Sequence, residues 1–94
     1  MLHVYAKITP KPEFYERAKS AVEGIVPATV QETGCARFEF FTDPDSTTLH
    51  LVETWTDQAA LDAHYTQPYT KKVFEAYQDW LAKPPELQTM TRLA

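Results

Sequence analysis

Glu53, Trp55, His64 and the tyrosines around them are the residues of this chain whose types and spacing can do chemistry. Glu53 and Trp55 stand two apart, as neighbours on one face of a strand do. Nine residues after Trp55 comes His64, four further on comes Pro68, and Tyr65 and Tyr69 follow each of these two. An imidazole ordinarily titrates near neutral pH, which makes His64 the candidate base. Glu53 has two readings. It orients His64 as a triad acid does, or it pairs with Arg37 or Lys7 across a sheet, the simpler of the two. His64 also has two. It lies three residues after Leu61 on one helical face, where a half-buried histidine bonded to a backbone carbonyl is the usual occupant. A tryptophan at the position of Trp55 is more often core packing than chemistry.

Several functions fall away on composition. Ninety-four residues suit one domain, spanning 1–94, with a thin core. Hydrophobic residues make up 44%, enough for a folded globule. Thirteen acids against nine bases give a net charge of −4, and the longest basic run is Lys71-Lys72. That argues against nucleic acid as a partner. One cysteine, Cys35, excludes an internal disulfide. It reads as a small buried residue. His3, His50 and His64 make no metal-ligand spacing, so no metal is expected. No segment has the length of a membrane span or the pattern of a signal peptide, so a cytoplasmic location is expected.

The elements that must position these residues can be read along the chain. Residues 2–9 alternate, with Leu2, Val4, Ala6 and Ile8 on one face and His3, Tyr5 and Lys7 on the other: a strand. Residues 13–32 carry apolar residues three and four apart and form a helix, with a kink or break expected near Gly24–Pro27. Gly34 suits its end. Residues 35–41 and 48–55 are strands joined by the turn "TDPDST". Thr56 or Asp57 caps a helix reaching about Gln67, and Pro68 opens a further helical segment that "KPP" at 83–85 ends. "ELQTMTRL" is a last strand. The order β-α-β-β-α-β is the ferredoxin-like plan, an α+β fold on an antiparallel sheet.

Neither face of the central hairpin is polar. Phe38 and Phe40 share one face, and Phe41 and Val52 lie on the other. A sheet apolar on both faces calls for a second cover, so a homodimer packed sheet to sheet is expected.

The segments "EGIVPATVQETGC", "FFTDPD" and "VETWTDQAALDAHYTQP" resemble the antibiotic biosynthesis monooxygenase family, most nearly its small bacterial quinol monooxygenases. The resemblance covers nearly the whole chain. It rests on the Glu-x-Trp strand end, the His and Pro that follow, and the Val-Pro helix leading to Glu-x-Gly-Cys. It implies a dimeric α+β barrel with a pocket between sheet and helices. It also implies oxidation of a quinol or similar electron-rich aromatic by O2 with no metal or flavin.

Under that resemblance each residue takes a role. O2 reacts slowly with closed-shell molecules, and a deprotonated quinol gives up an electron more readily than the neutral one. The site then needs a base, a donor for the developing oxyanion and a dry aromatic pocket. His64 is the base. Trp55 lines the pocket and donates from its indole N–H. Tyr69, Tyr65 and Tyr5 are proton donors, and Phe38 and Phe40 form a flat wall. Haem-degrading relatives use an Asn on the first strand, and "LHVYAKIT" has none. A branch that isomerises a phosphorylated autoinducer sugar shares the His…Pro segment. Where several relatives place a second His after that proline, this chain has Tyr69. Two alternatives therefore stand beside the oxygenase: a non-catalytic dimeric module for a small ligand, and an isomerase with a basic pocket.

Overall fold

In the computed structural model, which describes all of residues 1–94, strand β1 spans Leu2–Ile8 and a 3-10 turn at Pro12–Phe14 leads into helix α1, Tyr15–Thr29. Strands β2 (Cys35–Thr42) and β3 (Leu49–Trp55) form the hairpin. Helices α2 (Gln58–Thr66) and α3 (Pro68–Trp80) follow, and β4 (Glu86–Met90) closes the chain. The sheet is antiparallel throughout, in the order β2-β3-β1-β4. This is the expected ferredoxin-like β-α-β-β-α-β arrangement.

Register fixes which side chains meet the helices. Val4, Ala6 and Ile8 pair with Glu53, Leu51 and Leu49, and Phe38 and Phe40 pair with Glu53 and Leu51. With period two, all of these share the covered face. Against them pack Ala18 and Val22 of α1, Leu61 of α2 and Tyr77 of α3. Glu53 is the one carboxylate on this buried face. Phe41, Val52, His50 and Tyr5 point to the open face.

The expected break in the first helix does not occur. Helix α1 runs through Pro27 and ends at Thr29. Pro27 sits in the last turn, so the bond its missing N–H removes is near the helix end. The Thr29 hydroxyl donates to Ile25 O at 2.7 Å and ties down that turn. Nor does Gly34 directly end the helix. It stands five residues later, with φ 87°, at the entry to β2. In the hairpin loop, Thr48 and Thr47 hydrogen-bond Asp43 and hold its carboxyl down at about 2.

Tyr77 ties α3 to α1, its hydroxyl donating to Ala18 O at 2.7 Å inside the core. Tyr77→Phe is expected to cost about 1 kcal/mol. In thermal denaturation that is a fall of roughly 4–8 °C; an unchanged melting temperature would show the bond adds nothing net.

Candidate active site

His64 is delivered by α2, whose start is set by Asp57: its carboxylate accepts the Ala60 N–H at 2.9 Å. His64 falls in the last turn and is 4% exposed. Its ring meets Trp55 at a centroid distance of 4.9 Å, Phe38 at 5.4 Å edge-on, and Tyr65 at 5.7 Å. The usual occupant, a histidine satisfied by a backbone carbonyl, is not what is found. Nδ1 of His64 lies 2.8 Å from Oε2 of Glu32, a carboxylate on another element.

Glu32 stands in the turn between α1 and β2, and its backbone is pinned on both sides. Its N–H donates to Thr29 O at 3.0 Å, and its carbonyl accepts from Cys35 N at 3.1 Å. Gly34 O accepts from Thr56 N at 2.8 Å, locking the turn to the end of β3. The Tyr69 hydroxyl, from the first turn of α3, donates to the same Oε2. One carboxylate thus gathers a donor from each side of the break between α2 and α3. Burial first, and then the Glu32 hydrogen bond and charge, push the Tyr69 phenol up to about 12, so it stays a donor. A carboxylate accepts, so Nδ1 of His64 is the donor to Glu32, and with one ring proton the lone pair lies on Nε2. Nε2 has no protein partner.

His64 lines a cleft between sheet and helices of about 50 Å³. Its fifteen lining residues include eleven hydrophobic ones, among them Phe38, Leu51, Val73 and Phe74, and the rest include Glu53, His64 and Thr70. No Lys or Arg lines it. Glu53 is buried, and its Oε1 accepts the Trp55 indole N–H at 2.9 Å. Burial raises its pKa, against the pull of that hydrogen bond and of His64. Burial, reinforced by Glu53, takes Tyr65 up to about 12. Burial also raises the Cys35 thiol, with the charges of Glu32 and Glu53 adding to it.

A raised carboxyl favours the fold while it is protonated. That contribution is full below the unfolded pKa and is lost as pH rises through the folded one. Glu53→Gln keeps an acceptor for Trp55 and removes the titration. The variant is expected to gain melting temperature over wild type at pH 8 and to gain less at pH 4.5. An equal shift at both pH values would mean Glu53 carries no buried charge.

The structure brings together His64, Glu53, Tyr65 and Phe38 in the cleft, with Trp55 directly behind them. Tyr69 is joined to the cluster through Glu32. Four expectations meet a different arrangement. Tyr5 does not reach the cleft: it lies on the open face, its hydroxyl 2.8 Å from His50 Nδ1. Phe40 is displaced to an adjoining groove with Glu23, Val26 and Phe41. The Trp55 N–H is already given to Glu53. Glu53 does not form the simpler ion pair either, because Arg37 pairs with Glu39. The carboxylate that holds His64 is Glu32, thirty-two residues away in sequence. Spacing around His64 could not reveal it; the only sign was its place in the Glu-x-Gly-Cys of the resemblance.

No helix is long and apolar enough to cross a membrane. No group of three or more His, Cys, Asp or Glu side chains is gathered to hold a metal ion.

Residues 1–76 match the family described as antibiotic biosynthesis monooxygenase. The chain belongs to that family. An uncharacterized protein of Synechocystis is 30% identical over 86 residues, which is 90% of this chain and 58% of that protein. The chain therefore spans somewhat over half the length of this curated relative. A crystal structure from Pseudomonas aeruginosa is 26% identical with a TM-score of 0.92, covering 99% of this chain and 94% of that one. A Mycobacterium tuberculosis structure is 22% identical with a TM-score of 0.93, covering 99% and 95%. The latter two share the fold of this chain over nearly its whole length.

Proposed function

We propose that this family member is a monooxygenase that oxidises a quinol or similar electron-rich aromatic with O2 and needs no bound cofactor. The observation that carries the reading is the Glu32–His64 pair: a carboxylate holds Nδ1, Nε2 has no protein partner, and His64 lines an apolar aromatic cleft. This is the arrangement of a general base. His64 Nε2 takes a hydroxyl proton from the bound quinol, and Glu32 stabilises the imidazolium that forms. The resulting anion is the electron donor to O2. Balanced for a benzenediol, the diol and O2 give a hydroxyquinone and water. One oxygen atom enters the ring, and the other is reduced to water by electrons from the substrate. The apolar lining excludes water from the anion and its oxygen adduct. Tyr65 and Tyr69, both held as phenols, act as hydrogen-bond donors rather than bases.

Under 18O2, the expected product carries one labelled oxygen atom while the other label appears in water. A quinone with no label, formed together with hydrogen peroxide, would contradict monooxygenation.

An isomerase of phosphorylated sugars would need cations in the cleft, and none lines it.

The working unit is proposed to be a homodimer joined across the open sheet face. Phe41 and Met90 on that face are 47% and 42% exposed, and every residue of β4 is exposed. Light scattering after gel filtration is expected to give twice the chain mass of 10.8 kDa. Phe41→Lys is expected to shift it toward the monomer. A monomeric wild type at the concentrations used for assay would refute the dimer.

A further inference from the structure

Glu53 carries an oxygen that neither the fold nor the base uses. It is the one carboxylate on the covered face of the sheet, is 5% exposed, and lines the cleft with His64. Strand β3 places it there by alternation, between Leu51 and Trp55. Its Oε1 accepts the Trp55 indole N–H. Its Oε2 has no protein partner and is not sealed in: the unpartnered side-chain oxygens closed to solvent are Thr9 Oγ1 and Thr70 Oγ1. The accessible oxygen of a residue otherwise packed into the core faces the cleft that the residue lines.

The surroundings of this carboxyl suit an acid. Burial favours its protonated form, and the Glu32 charge adds to this against the Trp55 bond and His64. A protonated carboxyl has a single O–H. Trp55 fixes Oε1 as an acceptor, so the proton belongs on Oε2. The other titratable groups around Glu53 are His64 and Tyr65 of α2, Tyr77 of α3, Glu32 of the turn and Cys35 of β2, while β1 presents Val4 opposite it. Burial holds both tyrosines as phenols, weaker acids than a carboxyl. The cleft thus pairs an imidazole base with a carboxylic acid, two groups whose surroundings separate their tasks.

Where water is excluded, the O2 adduct of the substrate must take its proton from the protein. We propose that Glu53 is a second catalytic residue, whose Oε2–H protonates the distal oxygen of that adduct so that this oxygen leaves as water. This rests on the reading of the cleft as a quinol monooxygenase site. The steps balance. His64 takes one hydroxyl proton, and the anion and O2 join as a peroxide on the ring carbon beside that oxygen. Glu53 protonates the distal oxygen. The O–O bond then breaks as the C–H proton of the same carbon passes to the Glu53 carboxylate, and the C–H electron pair becomes the second bond of the new carbonyl. The departing hydroxide takes the proton held by His64 and becomes water. Both side chains end as they began.

Glu53→Gln keeps the acceptor for Trp55 and nearly the same volume but has no proton to give. The probe is 1,4-naphthohydroquinone, with autoxidation subtracted, and hydrogen peroxide is read as the O2 returned on adding catalase. Wild type is expected to form 2-hydroxy-1,4-naphthoquinone with little peroxide. In the variant, formation of the hydroxyquinone is expected to fall by about 100-fold, with 1,4-naphthoquinone and hydrogen peroxide made in its place. The wild-type peroxide yield is expected to climb with pH as Glu53 ionises, and the variant's to stay flat. Hydroxyquinone at the wild-type rate in Glu53→Gln, its loss from the folded variant with no peroxide in its place, or a wild-type peroxide yield indifferent to pH would overturn the role of Glu53 and leave the monooxygenase reading standing. Peroxide in place of hydroxyquinone from the wild type itself, or no uptake above autoxidation, would overturn that reading and this inference with it.

Discussion

His64→Ala is expected to lower hydroquinone-dependent O2 consumption by about 100-fold or more, the range a positioned general base supplies. The variant removes the only imidazole that lines the cleft. The remaining candidates cannot substitute. Tyr65 and Tyr69 are both held as phenols up to about 12, and the one lining carboxyl, Glu53, has its Oε1 engaged by the Trp55 indole N–H and its ionised form disfavoured by burial. Loss of the ring also strips Glu32 of one of its two partners, so some stability falls with the activity. The control is Glu32→Gln, which keeps the buried volume and the Tyr69 contact. It is expected to lower kcat by about tenfold or more with KM nearly unchanged, because it disturbs the tautomer rather than the substrate cleft. A wild-type kcat in Glu32→Gln would leave His64 as base and remove Glu32 from the mechanism. A wild-type rate in His64→Ala would remove both.

The second large effect is on the fold. Gly34→Ala is expected to cost about 3 kcal/mol, or roughly 12–24 °C in melting temperature. Two causes add. The backbone there has φ 87°, a region that L side chains rarely adopt. A Cβ would also stand 2.6 Å from both Ala60 Cβ and Thr56 Oγ1. Ala60 has no rotamer to move aside, so α2 itself would have to shift. That shift would carry His64 away from Glu32, and activity should fall even where the variant remains folded. Gly24→Ala is the matched control. It lies inside α1 with nothing within 4 Å of the new Cβ, and it is expected to gain about 0.5–1 kcal/mol. Parallel thermal melts decide the matter: similar melting temperatures for the two variants would contradict the strain at Gly34.

These two glycines also mark what was legible in the sequence. The elements followed from periodicity, since alternation in residues 2–9 and 35–41 and three-four spacing in the helices are local properties. The break that Pro27 was expected to cause is missing because the proline stands in a last turn, where its cost is smallest, and periodicity does not locate the end of a helix that well. Facing was legible too: Glu53 and Trp55 do share the covered face. What local pattern could not supply was pairing across distance. Glu32 meets His64 through a turn whose geometry depends on Gly34 packing against α2, and Tyr69 reaches the same oxygen because Gln67 breaks the helix. Tyr5 was on the wrong face by its own strand alternation, which placed it with His3 and Lys7. Arg37 chose Glu39 on its own strand, a partner as near in sequence as any that alternation offers.

The most direct test of the central claim is O2 uptake by metal-stripped protein given a panel of hydroquinones, with His64→Ala run in parallel and autoxidation as the baseline. The account predicts uptake well above autoxidation for at least one hydroquinone, lost in the variant and not restored by added metal ions. Uptake at the autoxidation rate across the panel, or equal uptake by both proteins, would contradict it.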